Sequence, residues 1–300
     1  MNNKKKQQNI VPLKDLNLTS RFLFDEVMED PQTQKDVLSI ILGREIPLLI
    51  HNETEKEFRR SPQVRSIRMD IFSVDEEETV YNTEMQDNKK MDLAKRSRYY
   101  QGLMDVSLLD AGIPDYNELN NSFLIMIMTF DLFGYGMYRY SFYPRCKEVP
   151  ELILEDGTAR IFLNTRGQNK EGVSEELVDF LHYLEDTTDA AAAHTDSERI
   201  RRIHRRVCKV KSSEQTGVKY MQAWEERYFD KLEAREEGLA EGRAEGRAEG
   251  RAEGRAEFLK ELVKKKLSKG QSETEIADIL EENLETVRRL IAQIEEEKED

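Results

Sequence analysis

Between Ser66 and Gln86 the chain reads SIRMDIFSVDEEETVYNTEMQ, and this stretch limits the possible folds most tightly. Ile67, Met69, Ile71 and Ser73 alternate with Arg68, Asp70, Phe72 and Val74; after an acidic break, Tyr81, Thr83 and Met85 alternate with Asn82, Glu84 and Gln86. A period of two is the pattern of strands with opposed faces. Asp75-Glu76-Glu77-Glu78, polar and poor in strand formers, then serves as a hairpin loop. Centring the hairpin near Glu77 sets Asp70 opposite Glu84 and Arg68 opposite Gln86 on one face, with Met69, Ile71, Thr83 and Met85 on the other. A one-residue slip would exchange the faces, and the apolar set decides which turns inward.

Carboxylates directly across a strand pair repel each other. A cation held between Asp70 and Glu84 relieves that repulsion, and so does full solvation of an acidic hairpin. Hard oxygen ligands with no Cys or His beside them select Mg²⁺ or Mn²⁺ over zinc. Magnesium keeps several waters and leaves room for a phosphate, which is the outline of a phosphodiester hydrolysis site.

Asp70, the block Tyr81-Asn82-Thr83-Glu84-Met85-Gln86 and the following Arg96-Ser97-Arg98-Tyr99-Tyr100-Gln101 resemble the Rpn family of recombination-promoting nucleases, also labelled putative transposases, within the PD-(D/E)XK nuclease superfamily. The resemblance runs from about Leu13 to about Gly167. It implies an α/β restriction-endonuclease-like core, a mixed sheet flanked by helices, in which Asp70, Glu84 and the Met85 main-chain carbonyl hold Mg²⁺ or Mn²⁺. The superfamily usually carries Lys where this chain has Gln86, whereas the Rpn-like pattern itself carries Gln. Gln86 takes no proton, so its expected role is to orient the attacking water by hydrogen bonding. A helix before the hairpin adds a carboxylate in some such enzymes, with Glu26 the candidate here and a solvated helix face the alternative.

Charged residues make up 35% of the chain and the net charge is −14, which argues against bulk affinity for nucleic acid. Local clusters matter more for phosphate contact. Lys89, Lys90, Lys95, Arg96 and Arg98 follow the acidic motif, and Arg199, Arg201, Arg202, Arg205, Arg206, Lys209 and Lys211 form a run without an acid. Lys95, Arg96, Arg98, Arg202, Arg205 and Arg206 are therefore the expected DNA contacts; for the second run, packing of Ile200, Ile203, Val207 and Val210 against the core is an equal reading. With no apolar stretch of about 18 residues, no membrane span is expected. MNNKKKQQN lacks the apolar segment of a secretory signal, and Cys146 and Cys208 read as reduced thiols, so the expected location is the cytoplasm. His51, His182, His194 and His204 show no metal-ligand spacing.

In chain order, Met1 to Gln8 reads as disordered. Phe22, Leu23 and Val27 mark a helix ending near Asp30-Pro31, and Val37, Leu38, Ile41 and Leu42 a second closed by Gly43. Leu93 to Gly112 carries a helical stripe in which Tyr100 packs while Tyr99 or Arg98 faces the DNA backbone. The apolar run Ser122 to Phe130 suits a central strand buried on both faces. Tyr138 to Tyr143, Glu151 to Leu154 and Ala159 to Leu163 read as further strands, the last two joined by a turn at Asp156-Gly157. Ser174 to Leu184 is a helix, Thr187 to Asp196 a connector, and Tyr220 to Glu237 another helix.

From Ala240 the unit AEGR repeats four times. Its i,i+4 neighbours are like-charged, and each Gly is unfavourable by about 1 kcal/mol relative to Ala. A marginally helical, solvated spacer follows, with helix pairing along the Gly stripe as the alternative. Beyond it, Phe258 to Leu267 makes a short helix stopped at Gly270, Ser272 to Glu275 a capping box, and two more helices follow. The run IADILEENLETVRRLI resembles a helix-turn-helix, with Glu285, Thr286, Arg288 and Arg289 at the contact positions, or serves to oligomerise the chain. The expected organisation is a nuclease-like domain over 1–185, a basic helical segment over 186–238, the spacer over 239–257 and a small helical unit over 258–300. The expected function is metal-dependent DNA cleavage promoting recombination or transposition; the alternative is a non-catalytic DNA-binding or scaffold protein.

Overall fold

The computed structural model describes residues 10–58, 67–109 and 112–299, with only the backbone for residues 58 and 297–299. Met1 to Gln8 and Ser66 lie outside the described residues. The chain divides into two compact units, Met1–Gln222 and Ala223–Asp300.

The first unit opens with α1 (Arg21–Met28) and α2 (Pro31–Leu42). Asp30 caps α2 by accepting from the Thr33 amide, Pro31 fills its first turn, and Gly43 ends it at φ 67, where a side chain would be strained. Then come β1 (Leu49–Phe58), β2 (Ile67–Asp75) and β3 (Val80–Gln86), an antiparallel meander. The Asp75 carboxylate closes the hairpin by accepting from the amides of Glu77 and Thr79 and from the Tyr81 hydroxyl.

Helix α3 (Leu93–Leu108) crosses to β4 (Ser122–Met128), which runs parallel to β3; β6 (Thr158–Asn164) runs parallel to β4, and β5 (Arg139–Phe142) closes the far edge antiparallel to β6. The six strands lie in the order β1-β2-β3-β4-β6-β5. Helices α4 (Glu175–Glu185), α5 (Asp189–Ala193) and α6 (Glu198–Lys211) follow.

Two apolar layers sandwich the sheet. Leu23, Phe24 and Val27 of α1, Val37 and Ile41 of α2, Phe180 of α4 and Ile200, Ile203 and Val207 of α6 pack on Ile71, Tyr81, Met85, Ile125 and Ile161. On the other face Leu93, Tyr100 and Met104 of α3 pack on Met69, Phe72, Val80, Leu124, Met126 and Phe162. Strand β4 sends alternate residues into each layer, so its unbroken apolar run is the composition of a doubly covered central strand.

Three local expectations are corrected, and one strand, β1, was not expected at all. Strand β1 carries HNETEKE, a polar sheet edge with no apolar alternation to announce it. Glu151 to Leu154 forms no strand, only an isolated bridge of Ile153 to Arg145, because Leu152 and Leu154 are exposed and have no layer to join. The connector after α4 holds α5, capped by Thr188. Helix α6, expected within a separate basic segment, is part of the first unit's core through Ile200, Ile203, Val207 and Val210, as the packing reading of that run has it.

Helix α7 (Glu214–Leu267) runs unbroken through the AEGR repeats and includes Phe258 to Leu267. In the second unit, Val263 near its end packs with Ile276 and Ala277 of α8 (Glu273–Leu280) and with Val287, Leu290 and Ile294 of α9 (Leu284–Glu299). The Ser272–Glu275 capping box is formed. Among the described residues no helix is long and apolar enough to cross a membrane.

Candidate functional site

The β2–β3 ladder pairs Val74 with Val80, Ser73 with Tyr81, Phe72 with Asn82 and Ile71 with Thr83, the register centred on Glu77. One step further, side chains replace the ladder. The Asp70 amide donates to Glu84 Oε1 at 3.1 Å, and the Met85 amide donates to Asp70 Oδ2 at 3.0 Å. Each carboxylate thus bonds a main-chain amide of the opposite strand where the paired ladder stops. The expected sharing of a face by Met69 and Ile71 fails at the same place: Met69 joins the α3-side layer and Ile71 the α1-side layer. On the neighbouring strand, β1 pairs Thr54 with Ile71 and Lys56 with Met69 but skips the position between, where Glu55 takes φ 54. Such a backbone is unfavourable for Glu by roughly 1–2 kcal/mol, so both strands are distorted around Asp70.

Helix α1 supplies the next groups. Arg21 lies 2.5 Å from Asp70 Oδ1, 3.5 Å from Asp25 and 4.0 Å from Glu55. Asp25, one turn after Arg21, is the helix carboxylate at this site. Glu26 points elsewhere, to Lys219 at 3.1 Å. Burial, then the charge of Asp70, push Asp25 up to about 8 against the pull of Arg21. Its Oδ1 is buried without a hydrogen-bond partner. Burial likewise raises Asp70, opposed by Arg21 and the Met85 amide. Burial lowers Arg21, but Asp70 and Asp25 outweigh it and the guanidinium is raised overall.

Helix α3 closes the other side. Arg96 Nη2 lies 3.2 Å from Glu84 Oε2, Nη1 donates to Gln86 Oε1 at 3.2 Å, and Nε donates to the Tyr100 hydroxyl at 2.7 Å. The guanidinium also lies 4.8 Å from the centre of the Tyr100 ring. Glu84 is wholly buried; burial, then Asp70, push it up to about 8 against Arg96. Tyr100 is buried while Arg98 and Tyr99 face outward.

Asp70 and Glu84 each commit one oxygen to a strand amide and the other to an arginine. A hard dication fits this donor set by taking the place of a guanidinium, and the buried Asp25 carboxyl stays raised despite Arg21 at 3.5 Å. Among the described residues, Asp70 and Glu84 do not join a third Asp, Glu, His or Cys in a group whose ligand atoms all lie within 4.8 Å. Main-chain carbonyl and water ligands must therefore complete any shell.

The expected DNA contacts divide. Lys89, Lys90, Lys95 and Arg98 are exposed along the segment that leaves Gln86 and enters α3. Arg96 instead turns into the site. On α6, Arg202 holds the buried Asp36 of α2 through two bonds of 2.7 and 2.8 Å, Arg206 donates to the Glu26 carbonyl at 3.0 Å, and Arg205 pairs with Glu198 at 3.0 Å. A run without an acid in sequence is thus supplied with acceptors in space. Arg21 and Asp25 were missed, although their i,i+4 spacing beside an apolar helix stripe signals an ion pair. Compared with known proteins, the chain matches no protein-family model, no curated protein and no solved structure.

Proposed function

We propose that the first unit is a metal-dependent DNA endonuclease of the PD-(D/E)XK kind, as the Rpn resemblance implies, acting in recombination or transposition. The observation that carries this reading is the buried Asp70–Glu84 pair at the parting of β2 and β3. The element order supports it: helices, a three-stranded meander, a helix crossover and a strand parallel to the third.

Asp70 and Glu84, with the Met85 carbonyl, hold Mg²⁺ or Mn²⁺ in this reading. When bound, the ion polarises the scissile phosphate and acidifies a water. Arg96 fixes the Gln86 amide by bonding its oxygen, leaving Nε2–H₂ to orient a water without taking its proton. Arg21, 2.5 Å from Asp70 Oδ1, would offer its guanidinium to phosphate charge at this site. Lys89, Lys90, Lys95 and Arg98 bind the DNA backbone through charge, so affinity falls steeply with salt.

A second reading, a DNA-binding or scaffold protein without turnover, is favoured by one observation: Arg21 and Arg96 already neutralise both carboxylates. Supercoiled plasmid incubated with the protein in Mg²⁺, in Mn²⁺ and in EDTA separates the two. Nicking that requires metal and disappears in folded Asp70→Asn and Glu84→Gln proteins supports the nuclease. Intact plasmid that is nevertheless retarded in a gel supports the second reading.

A further inference from the structure

A different cluster lies at the corner between α5 and α6. His204 and Cys208 are one turn apart on α6 and so share a face, and Asp189 opens α5 beside them. His204 Nε2 lies 2.8 Å from Asp189 Oδ1 and 3.5 Å from Cys208 Sγ, and Cys208 Sγ lies 4.0 Å from Asp189 Oδ1. Among the described residues, this is the one group in which three Asp, Glu, His or Cys ligand atoms all fall within 4.8 Å of one another.

The arrangement is not that of an activated nucleophile. In a nucleophile–His–acid relay the acid and the nucleophile address opposite ring nitrogens. Here both face Nε2, while Nδ1 meets the Tyr183 hydroxyl at 2.7 Å. Three donors converging on one point, with the second imidazole nitrogen held from behind, is how a metal-binding histidine is supported. Bonds of about 2.0–2.3 Å at tetrahedral angles place zinc ligands roughly 3.3–3.6 Å apart. The three separations bracket that range, so side-chain adjustments of a few tenths of an ångström close the site.

We propose that Asp189, His204 and Cys208 bind a zinc-class cation, with water as fourth ligand, at a site separate from the Asp70–Glu84 pair. A thiolate and an imidazole select zinc over Mg²⁺. The Asp189 side chain is 94% exposed and that of His204 15%, so the ion enters from solvent onto a histidine already fixed. Once bound, it fastens α5 to α6.

The test uses the full chain, stripped of metal, titrated with Zn²⁺ against a chromophoric chelator and with Co²⁺ as an optical probe. The expected result is one zinc per chain and a thiolate-to-Co²⁺ charge-transfer band. Both persist in Cys146→Ser and in Asp70→Asn. Cys208→Ser abolishes the band and weakens zinc by more than the roughly 10- to 100-fold that loss of an outer partner brings, and Asp189→Asn weakens zinc by at least about tenfold. Both substitutions are at exposed positions, and circular dichroism checks their folding. Failure of the wild type to take up zinc overturns the proposal, as does uptake indifferent to Cys208→Ser or abolished by Asp70→Asn.

Discussion

Replacing Asp25 by Asn should make the first unit more stable in alkaline solution and leave it nearly unchanged in acid. The carboxyl titrates near 3.9 in an unfolded chain and is pushed up to about 8 in the folded one, chiefly by burial. Between those values the folded protein keeps a proton that the unfolded chain has released, so its stabilising contribution, complete below pH ~4, is lost as pH rises toward 8. Each unit is worth about 1.4 kcal/mol, giving a ceiling of about 4 kcal/mol between pH ~5 and ~8. Solvent reaches part of the Asp25 side chain, and this screening brings the expected loss to about 2 kcal/mol. Asn keeps the shape and carries no titrating proton, so the variant's curve should be flatter by that amount. Urea unfolding in EDTA at several pH values, followed by near-ultraviolet circular dichroism with Trp224→Phe in both proteins, reads this; Tyr228 apart, every tyrosine lies in the first unit. Parallel curves for the two proteins would refute the assignment of a retained proton to Asp25.

Removing Arg96 as Arg96→Ala leaves wholly buried Glu84 without its cation and should destabilise the first unit by about 3 kcal/mol in urea. If Asp70 and Glu84 hold Mg²⁺ as proposed, the ion would compete with protons at these raised carboxyls, so the melting-temperature gain it gives should grow from pH 6 to pH 8.5 and vanish in Asp70→Asn/Glu84→Gln protein. Glu281 ends α8 in the left-handed region at φ 52, and Glu281→Gly should stabilise the second unit by about 1 kcal/mol, measured by thermal unfolding. Changing Gly242, Gly246, Gly250 and Gly254 to Ala should raise far-ultraviolet helical signal and favour helix by about 1 kcal/mol per site.

The hairpin was legible because one apolar set fixes both faces, and the register from Ile71–Thr83 to the turn follows from it. What a pattern cannot carry is the point where the pattern stops. Nothing in the alternation of Ile67, Met69 and Ile71 tells that the faces exchange at Asp70, opposite a left-handed Glu55 on another strand. Asp25 and Glu26 differ by one residue, about 100° on a helix. Both flank the same stripe, so only the elements packed on α1 decide which meets the sheet. The basic run on α6 misled for a related reason: its partners Asp36, Glu176 and the Glu26 carbonyl come from helices distant in sequence. Strand β1 was invisible because a sheet edge needs no apolar face. The repeat segment is helical despite its glycines, its i→i−4 ladder running unbroken.

The polar character of β1 also bears on how copies of this chain behave at high concentration. An edge strand offers unpaired backbone groups to any other strand that approaches. If copies of β1 stacked in register, as in a fibril, Glu53, Glu55 and Glu57 would each lie about 4.8 Å from their own images. At that distance each like-charged pair is opposed by about 1 kcal/mol even in water, and the left-handed Glu55 interrupts the row of hydrogen bonds midway. The residues that hid this strand from sequence patterning therefore make it a poor template for amyloid.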